Sequence, residues 1–156
     1  MPKGLIRRHI TGDLHFITIS CHRHNHILKS PESCNTLQRI LEETRQKYLF
    51  QILGYVFMSN HIHLLISPPE GKGIATAIQV LKQRFSRTRT DEFVWEPRYH
   101  DFNVFTEAKR IEKLRYMHRN PIKAGLVERP EDWPWSSFNA YATNQPQPVQ
   151  ITKYAS

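Results

Sequence analysis

The chain has 156 residues, 39% of them hydrophobic and 23% charged, with a formal net charge of +8 and a pI near 9.7. This length suits one domain with a sizeable core, the composition excludes a disordered chain, and no apolar run is long enough to span a bilayer. The positive excess points to a polyanionic partner. Nucleic acid is favoured over a membrane surface, because no basic amphipathic helix with exposed aromatics is present. The opening "MPKGLIRRHITGD" lacks the apolar core of a signal peptide, so a cytoplasmic location is expected. Cys21 and Cys34 have no close-spaced partner for a zinc or redox motif and read as reduced, buried thiols.

In chain order, "LHFITISCH" (residues 14–22) alternates and is β-branched, which predicts a first strand, and "HRHNHILKSP" follows as a loop. Ser33 is a candidate cap for a helix to about Tyr48, with Leu37, Ile40, Leu41 and Thr44 on one face. Residues 50–58 read as a second strand. Ser59 and Asn60 form a tight turn without glycine, and "HIHLLIS" is the hairpin partner. "GKGIATAIQVLKQRFSRTRT" is an amphipathic helix with a stripe of Ile74, Ile78, Leu81 and Phe85. A fourth strand is expected near "RYHDFNVF". "TEAKRIEKLRYMHRN" is a third helix, with Thr106 as candidate cap and Pro121 as its stop, because a residue before proline avoids the helical region. "WPWSSFNAY" closes a single domain over residues 1–142 as a short helix or turn, and residues 143–156 read as an extended or poorly ordered tail.

The order β-α-β-β-α-β-α predicts an α+β chain. Its first six elements match the split βαβ pattern of ferredoxin-like domains: an antiparallel sheet with helices on one face, and extra C-terminal helices beyond it. Such a sheet often leaves its other face open to nucleic acid.

The third strand carries a chemical oddity. His61 and His63 are two apart and share one face of "NHIHLLI", while Ile62 points the other way. Two imidazoles so placed can chelate a divalent metal, or simply line the wet face of a half-buried strand. The run His22, His24, His26 shows how easily such spacing arises, and it reads as mostly exposed loop. A second constellation lies in "LRYMHRNPIKAGL". Tyr116 and Asn120 are one helical turn apart, so a phenol able to attack phosphorus would lie beside an amide able to bind a metal. Glu112 and His118 are rival third ligands, and Asn120 is alternatively just past the last helical turn. Two nitrogens and one oxygen, with open positions, would suit Mg²⁺ or Mn²⁺.

"NHIHLLI" resembles the HUH motif of single-tyrosine transposases, and "YMHRNPIKAGLV" followed by "WPWSS" resembles the tyrosine-helix region of their REP-associated subgroup. The N-terminal "HFITISCHR" and the middle "GYVFMSNHIHLLI" fit as well, so the likeness runs from about Gly12 to Tyr141. It implies a ferredoxin-like fold with the HUH strand central, and a hairpin-bearing single-stranded DNA substrate. It also implies metal ligation by His61, His63 and Asn120 and nucleophilic attack by Tyr116. Insertion-sequence relatives carry glutamine where Asn120 stands, whereas asparagine fits the REP-associated group. The former are dimers and some of the latter monomers, so a monomer or a homodimer is implied here.

The basic residues Lys82, Arg84, Arg87 and Arg89 on one helix end, and Arg115, Arg119 and Lys123 near the tyrosine, are candidates for tracking a phosphate backbone. Arg7 and Arg8 can act as a basic arm. Trp95, Trp133 and Trp135 can stack on bases or pack in the core. Two rival readings remain beside a transposase or nuclease: a non-catalytic module that binds hairpin DNA or RNA on the sheet, and a small metalloprotein in which the histidines hold a structural ion.

Overall fold

The structure, a computed structural model, describes residues 14–154; Arg7 and Arg8 lie outside them. Four strands, β1 (Leu14–Ser20), β2 (Ile52–Phe57), β3 (His61–Ile66) and β4 (His100–Val104), form one sheet in the order β2-β3-β1-β4. Every neighbouring pair is antiparallel. Helix α1 (Pro31–Tyr48) links β1 to β2, and α2 (Ile74–Ser86) links β3 to β4. This is the split βαβ arrangement, with β1 and β3 in the centre.

Strand alternation divides the core in two. Ile17, Ile19, Ile62 and Leu64 meet Leu37, Ile40 and Leu41 of α1 and Ile78, Leu81 and Phe85 of α2 on one face. On the other face, Leu14, Phe16, Val56 and Leu65 meet Leu114 and Met117 of α3 (Glu107–Lys123). The crossover helices thus share one face as expected. The third helix covers the β2–β3 half of the opposite face, which is therefore only partly open. β2 is buried along its whole length for this reason, and its sequence shows little polar alternation.

Two helix boundaries differ from expectation. α1 is capped by Ser30, not Ser33: the Ser30 hydroxyl accepts a hydrogen bond from the Ser33 amide at 3.1 Å, and Pro31 takes the first helical position, where no N–H is needed. α3 is capped by Thr106 and runs through Pro121 to Lys123. Near the end of the helix a proline removes a single ladder bond, and buried packing of Pro121 holds the segment helical. The stop is instead Gly125, at φ 76°. Its amide donates to the Ile122 carbonyl at 2.9 Å, and the Leu126 amide donates to the Pro121 carbonyl at 2.9 Å, the pairing of a Schellman end.

The hairpin turn at Ser59–Asn60 has no left-handed residue. It is held from outside: the Cys21 amide donates to the Asn60 carbonyl and the Leu28 amide to the Ser59 carbonyl, each at 2.9 Å. The C-terminal tail is extended, as expected, but docked. Val149 is fully buried, the Thr152 amide donates to the Ile52 carbonyl at 2.8 Å, and the Tyr154 hydroxyl lies 2.9 Å from Gln51 Oε1. Apolar residues within the polar run pin it across the β2 edge. Short α4 (Phe138–Ala142) precedes it. Among the described residues, no helix is long and apolar enough to cross a membrane.

Gly54 sets the height of α3 above the sheet. A Cβ there would stand 2.6 Å from Leu114 Cδ2 and 2.8 Å from Met117 Cε. Gly54→Ala is expected to cost about 1–3 kcal/mol in urea unfolding, through overpacking. It should also impair whatever chemistry depends on α3 facing β3.

Candidate active site

His61 and His63 lie on the α3 side of the sheet and Ile62 on the opposite side, as the strand period requires. Their rings approach to 4.9 Å between centroids. Each Nδ1 is occupied. His61 Nδ1 lies 2.8 Å from Asn60 Oδ1, which can only accept, so this nitrogen carries the proton. His63 Nδ1 lies 2.9 Å from the Thr18 hydroxyl, its cross-strand partner. His63 Nε2 is buried, with no hydrogen-bond partner among the described residues. A ring held at one nitrogen and bare at the other could accept a metal at the second.

Electrostatics agree with that reading. Burial, helped by the neighbouring His61 and Lys113 charges, pulls the His63 pKa down to about 3. Burial, with His24 nearby, also lowers that of His61. His63 is thus neutral at pH 7, the form in which imidazole ligates.

α3 brings the second constellation to the same place. The Tyr116 ring stands 5.3 Å from the His63 ring, edge-on, and 6.1 Å from Phe16. At 48% exposure Tyr116 is the one exposed tyrosine among the described residues, and its hydroxyl makes no hydrogen bond there. Tyr55, Tyr141 and Tyr154 are packing residues, and the Tyr141 hydroxyl donates to the Leu53 carbonyl at 2.6 Å. Asn120 is inside α3, one turn beyond Tyr116, and its Nδ2 is buried without a partner among the described residues. Pro121 therefore does not displace it from the helix.

The rival ligands differ in position: Glu112 lines the same groove of α3 as Tyr116, whereas His118 does not. Glu112 is exposed and paired with Lys109 at 3.2 Å. His118 packs on the far side of α3 against Phe138 and Tyr141, with Nε2 2.8 Å from the Ser137 hydroxyl. Among the described residues no three of His, Cys, Asp and Glu converge on a possible metal position. His61 and His63 are thus joined by no third such donor among the described residues, and Asn120 offers an amide one turn beyond Tyr116 on α3. The loop histidines keep other company: His22 lies 3.4 Å from Glu96, and His26 lies 2.7 Å from the Ser59 hydroxyl.

The basic candidates separate. Arg115, Arg119 and Lys123 line a groove of about 490 Å³ along α3 together with Tyr116. The α2 group lies on the opposite face of the sheet, and most of it is engaged. Lys82 Nζ donates to the Glu96 carbonyl at 2.9 Å, Arg84 pairs with Glu43, and Arg89 pairs with Asp91 at 2.6 Å and donates to Ser33 at 2.8 Å. Arg87 remains exposed. A charged helix end in sequence does not show which side of a sheet it serves.

All three tryptophans have structural roles. Indole N–H groups bond from Trp95 to the Lys82 carbonyl, from Trp133 to the Phe57 carbonyl and from Trp135 to Asn35. Both cysteines are buried, and burial raises their thiols to about 12.

Sequence reasoning passed over Thr18, Asn60 and Lys113, which orient or flank the two histidines. Thr18 was detectable as the polar position on the Leu14–Phe16 face of β1, and Lys113 as the i,i−3 neighbour of Tyr116.

Comparison with known proteins places this geometry in a family. A curated Haemophilus influenzae protein assigned as a REP-associated tyrosine transposase is 28% identical over 149 residues, covering 85% of this chain and 84% of its own. The REP-associated tyrosine transposase of Escherichia coli K12 is 23% identical over 134 residues, covering 85% of this chain and 81% of its own. The solved structure of a REP-associated tyrosine transposase bound to a REP hairpin superposes with a TM-score of 0.74 at 20% identity, covering 94% of this chain and 90% of that one; it bears on the fold. The family model "Transposase IS200 like" matches residues 10–119. With well over half of its length matched, the protein belongs to the family of IS200-like transposases.

Proposed function

We propose that this transposase cleaves and rejoins hairpin-bearing single-stranded DNA by transesterification through a 5′-phosphotyrosine at Tyr116. The observation that carries the reading is the meeting of an exposed tyrosine with a buried imidazole, the hydroxyl of the one and Nε2 of the other both without a partner among the described residues. The hairpin substrate is favoured by the solved relative, which is bound to a REP hairpin.

His61, His63 and Asn120 would hold Mg²⁺ or Mn²⁺, which when bound supplies polarisation of the scissile phosphate and offsets charge in the transition state. The two Nδ1 hydrogen bonds fix both rings for that task. Tyr116 loses its phenolic proton and attacks phosphorus in line. Its Oη–P bond forms, the P–O3′ bond breaks, and the 3′ oxygen takes up a proton. One ester replaces another, so a later 3′-hydroxyl can reverse the step without an external energy source. Arg115, Arg119 and Lys123 track the backbone along the α3 groove.

The test uses hairpin-tipped single-stranded DNA from the sequence flanking the gene, with Mn²⁺ or Mg²⁺ and a denaturing gel. A metal-dependent covalent protein–DNA band is the expected outcome. Retarded DNA without a covalent band, across several hairpins and both metals, would leave a binding module.

A further inference from the structure

Lys113 is a cation beside the two constellations, and the cleavage reading gives it no role. Its Nζ stands 4.9 Å from the Phe16 ring centre and 4.6 Å from that of Phe102. Phe16 stacks on His63 at 5.2 Å and meets Tyr116 edge-on, so one ring joins the lysine, the imidazole and the phenol. Lys113 precedes Tyr116 by three residues, on the same side of α3.

The charge is held but barely neutralised. Two aromatic faces attract an ammonium without using its N–H donors. Among the described residues Lys113 donates no hydrogen bond, and its one counter-charge is Glu112, 3.9 Å away, exposed and shared with Lys109. The Lys113 side chain is 21% exposed, held against the two rings and open in part to solvent. Phe102, the outer wall of this clamp, is 45% exposed on the edge strand β4. A half-buried cation with unused donors, beside a nucleophile for phosphorus, is suited to a phosphate oxygen.

We propose that Lys113 is a phosphate-binding residue of this site: held between Phe16 and Phe102, its ammonium hydrogen-bonds a non-bridging oxygen of the DNA strand that Tyr116 attacks. The proposal rests on the cleavage reading. Lys113 acts by charge.

Two readouts test it, on the full chain with hairpin-tipped single-stranded DNA. One is the single-turnover rate of covalent product with Mn²⁺. The other is anisotropy-detected binding without divalent metal across a NaCl series. Lys113→Met keeps the apolar stem between the rings. It is expected to slow product formation about 100-fold, the scale for losing one donor to a developing charge, and to reduce the salt slope by about 0.7, one phosphate contact on a single strand. Lys113→Arg should keep the slope and recover most of the rate. A Lys113→Met protein with wild-type slope and rate overturns the proposal. So does a Lys113→Arg protein as slow as Lys113→Met with the slope unchanged in both, which is the mark of packing alone. Should Lys113→Met not fold, Lys113→Gln carries the same comparison. If the wild type forms no covalent product, the cleavage reading fails, and the metal-free slopes still decide whether Lys113 meets phosphate.

Discussion

Tyr116→Phe is expected to remove the covalent protein–DNA product, lowering its yield by at least about 10³-fold, while the protein still retards hairpin DNA to within about twofold of wild type. The variant deletes one oxygen, and that oxygen has no hydrogen bond among the described residues. The ring keeps its edge contacts with His63 and Phe16, so folding stability should shift by no more than about 0.5 kcal/mol. A phenyl ring has no nucleophile, and the other described tyrosines are placed elsewhere: Tyr48 and Tyr99 pack against the core on the α1–α2 face. Tyr55 and Tyr154 are buried, and the Tyr141 hydroxyl is spent on the Leu53 carbonyl. Denaturing gels of cross-linked product alongside native gels separate chemistry from binding. A Tyr116→Phe protein that still forms the covalent band would move the nucleophile elsewhere and end the present reading.

The second large effect is at His63. His63→Ala should lower metal-dependent cleavage about 10³-fold, the scale of several kcal/mol of lost transition-state stabilisation. The wild type is expected to melt higher with Mn²⁺, and His63→Ala should abolish that rise. Both follow from one feature: a buried Nε2 without a partner, on a ring whose other nitrogen Thr18 holds. A ligand that binds only the folded state stabilises it in proportion to its occupancy, so losing the thermal shift reports on binding without any turnover. His63 is held near pKa 3 by burial first and then by His61 and Lys113, so protons do not compete for it at neutral pH. His118→Ala serves as the control. It removes a half-buried imidazole on the far side of α3 and should leave the Mn²⁺ shift intact. A His63→Ala protein with a wild-type shift would assign the metal to other residues.

These predictions draw on two different sources of information. Local pattern was enough for the strands, the three long helices, the pairing of β2 with β3, and the shared face of His61 and His63. A strand repeats every two residues and a helix every 3.6, so the side on which a residue lies is written in its near neighbours. The juxtaposition of Tyr116 and Asn120 was legible for the same reason, as was the Thr106 cap.

Helix ends were less legible where two signals competed. Pro121 suggested a stop, but burial of its ring against the sheet kept α3 helical, and Gly125 provided the left-handed residue that ends it. Ser33 and Ser30 are equally good caps by residue type, and Pro31 favours Ser30 by occupying the first helical position.

What only the tertiary structure decided is how distant pieces meet. α3 could have extended beyond the sheet; instead it lies across the face that carries the histidines, because Gly54 leaves room for Leu114 and Met117. That placement brings Tyr116 against His63, closes half of the face expected to be open, and puts Lys113 between Phe16 and Phe102. It also sorts the basic residues. Those of α3 share the site, and those of α2 do not, since a crossover helix packs on the opposite face and its charges find local partners. Periodicity fixes which way a side chain points within its own element. Only the packing of one element on another, chosen by shape and burial over long sequence separations, determines what it points at.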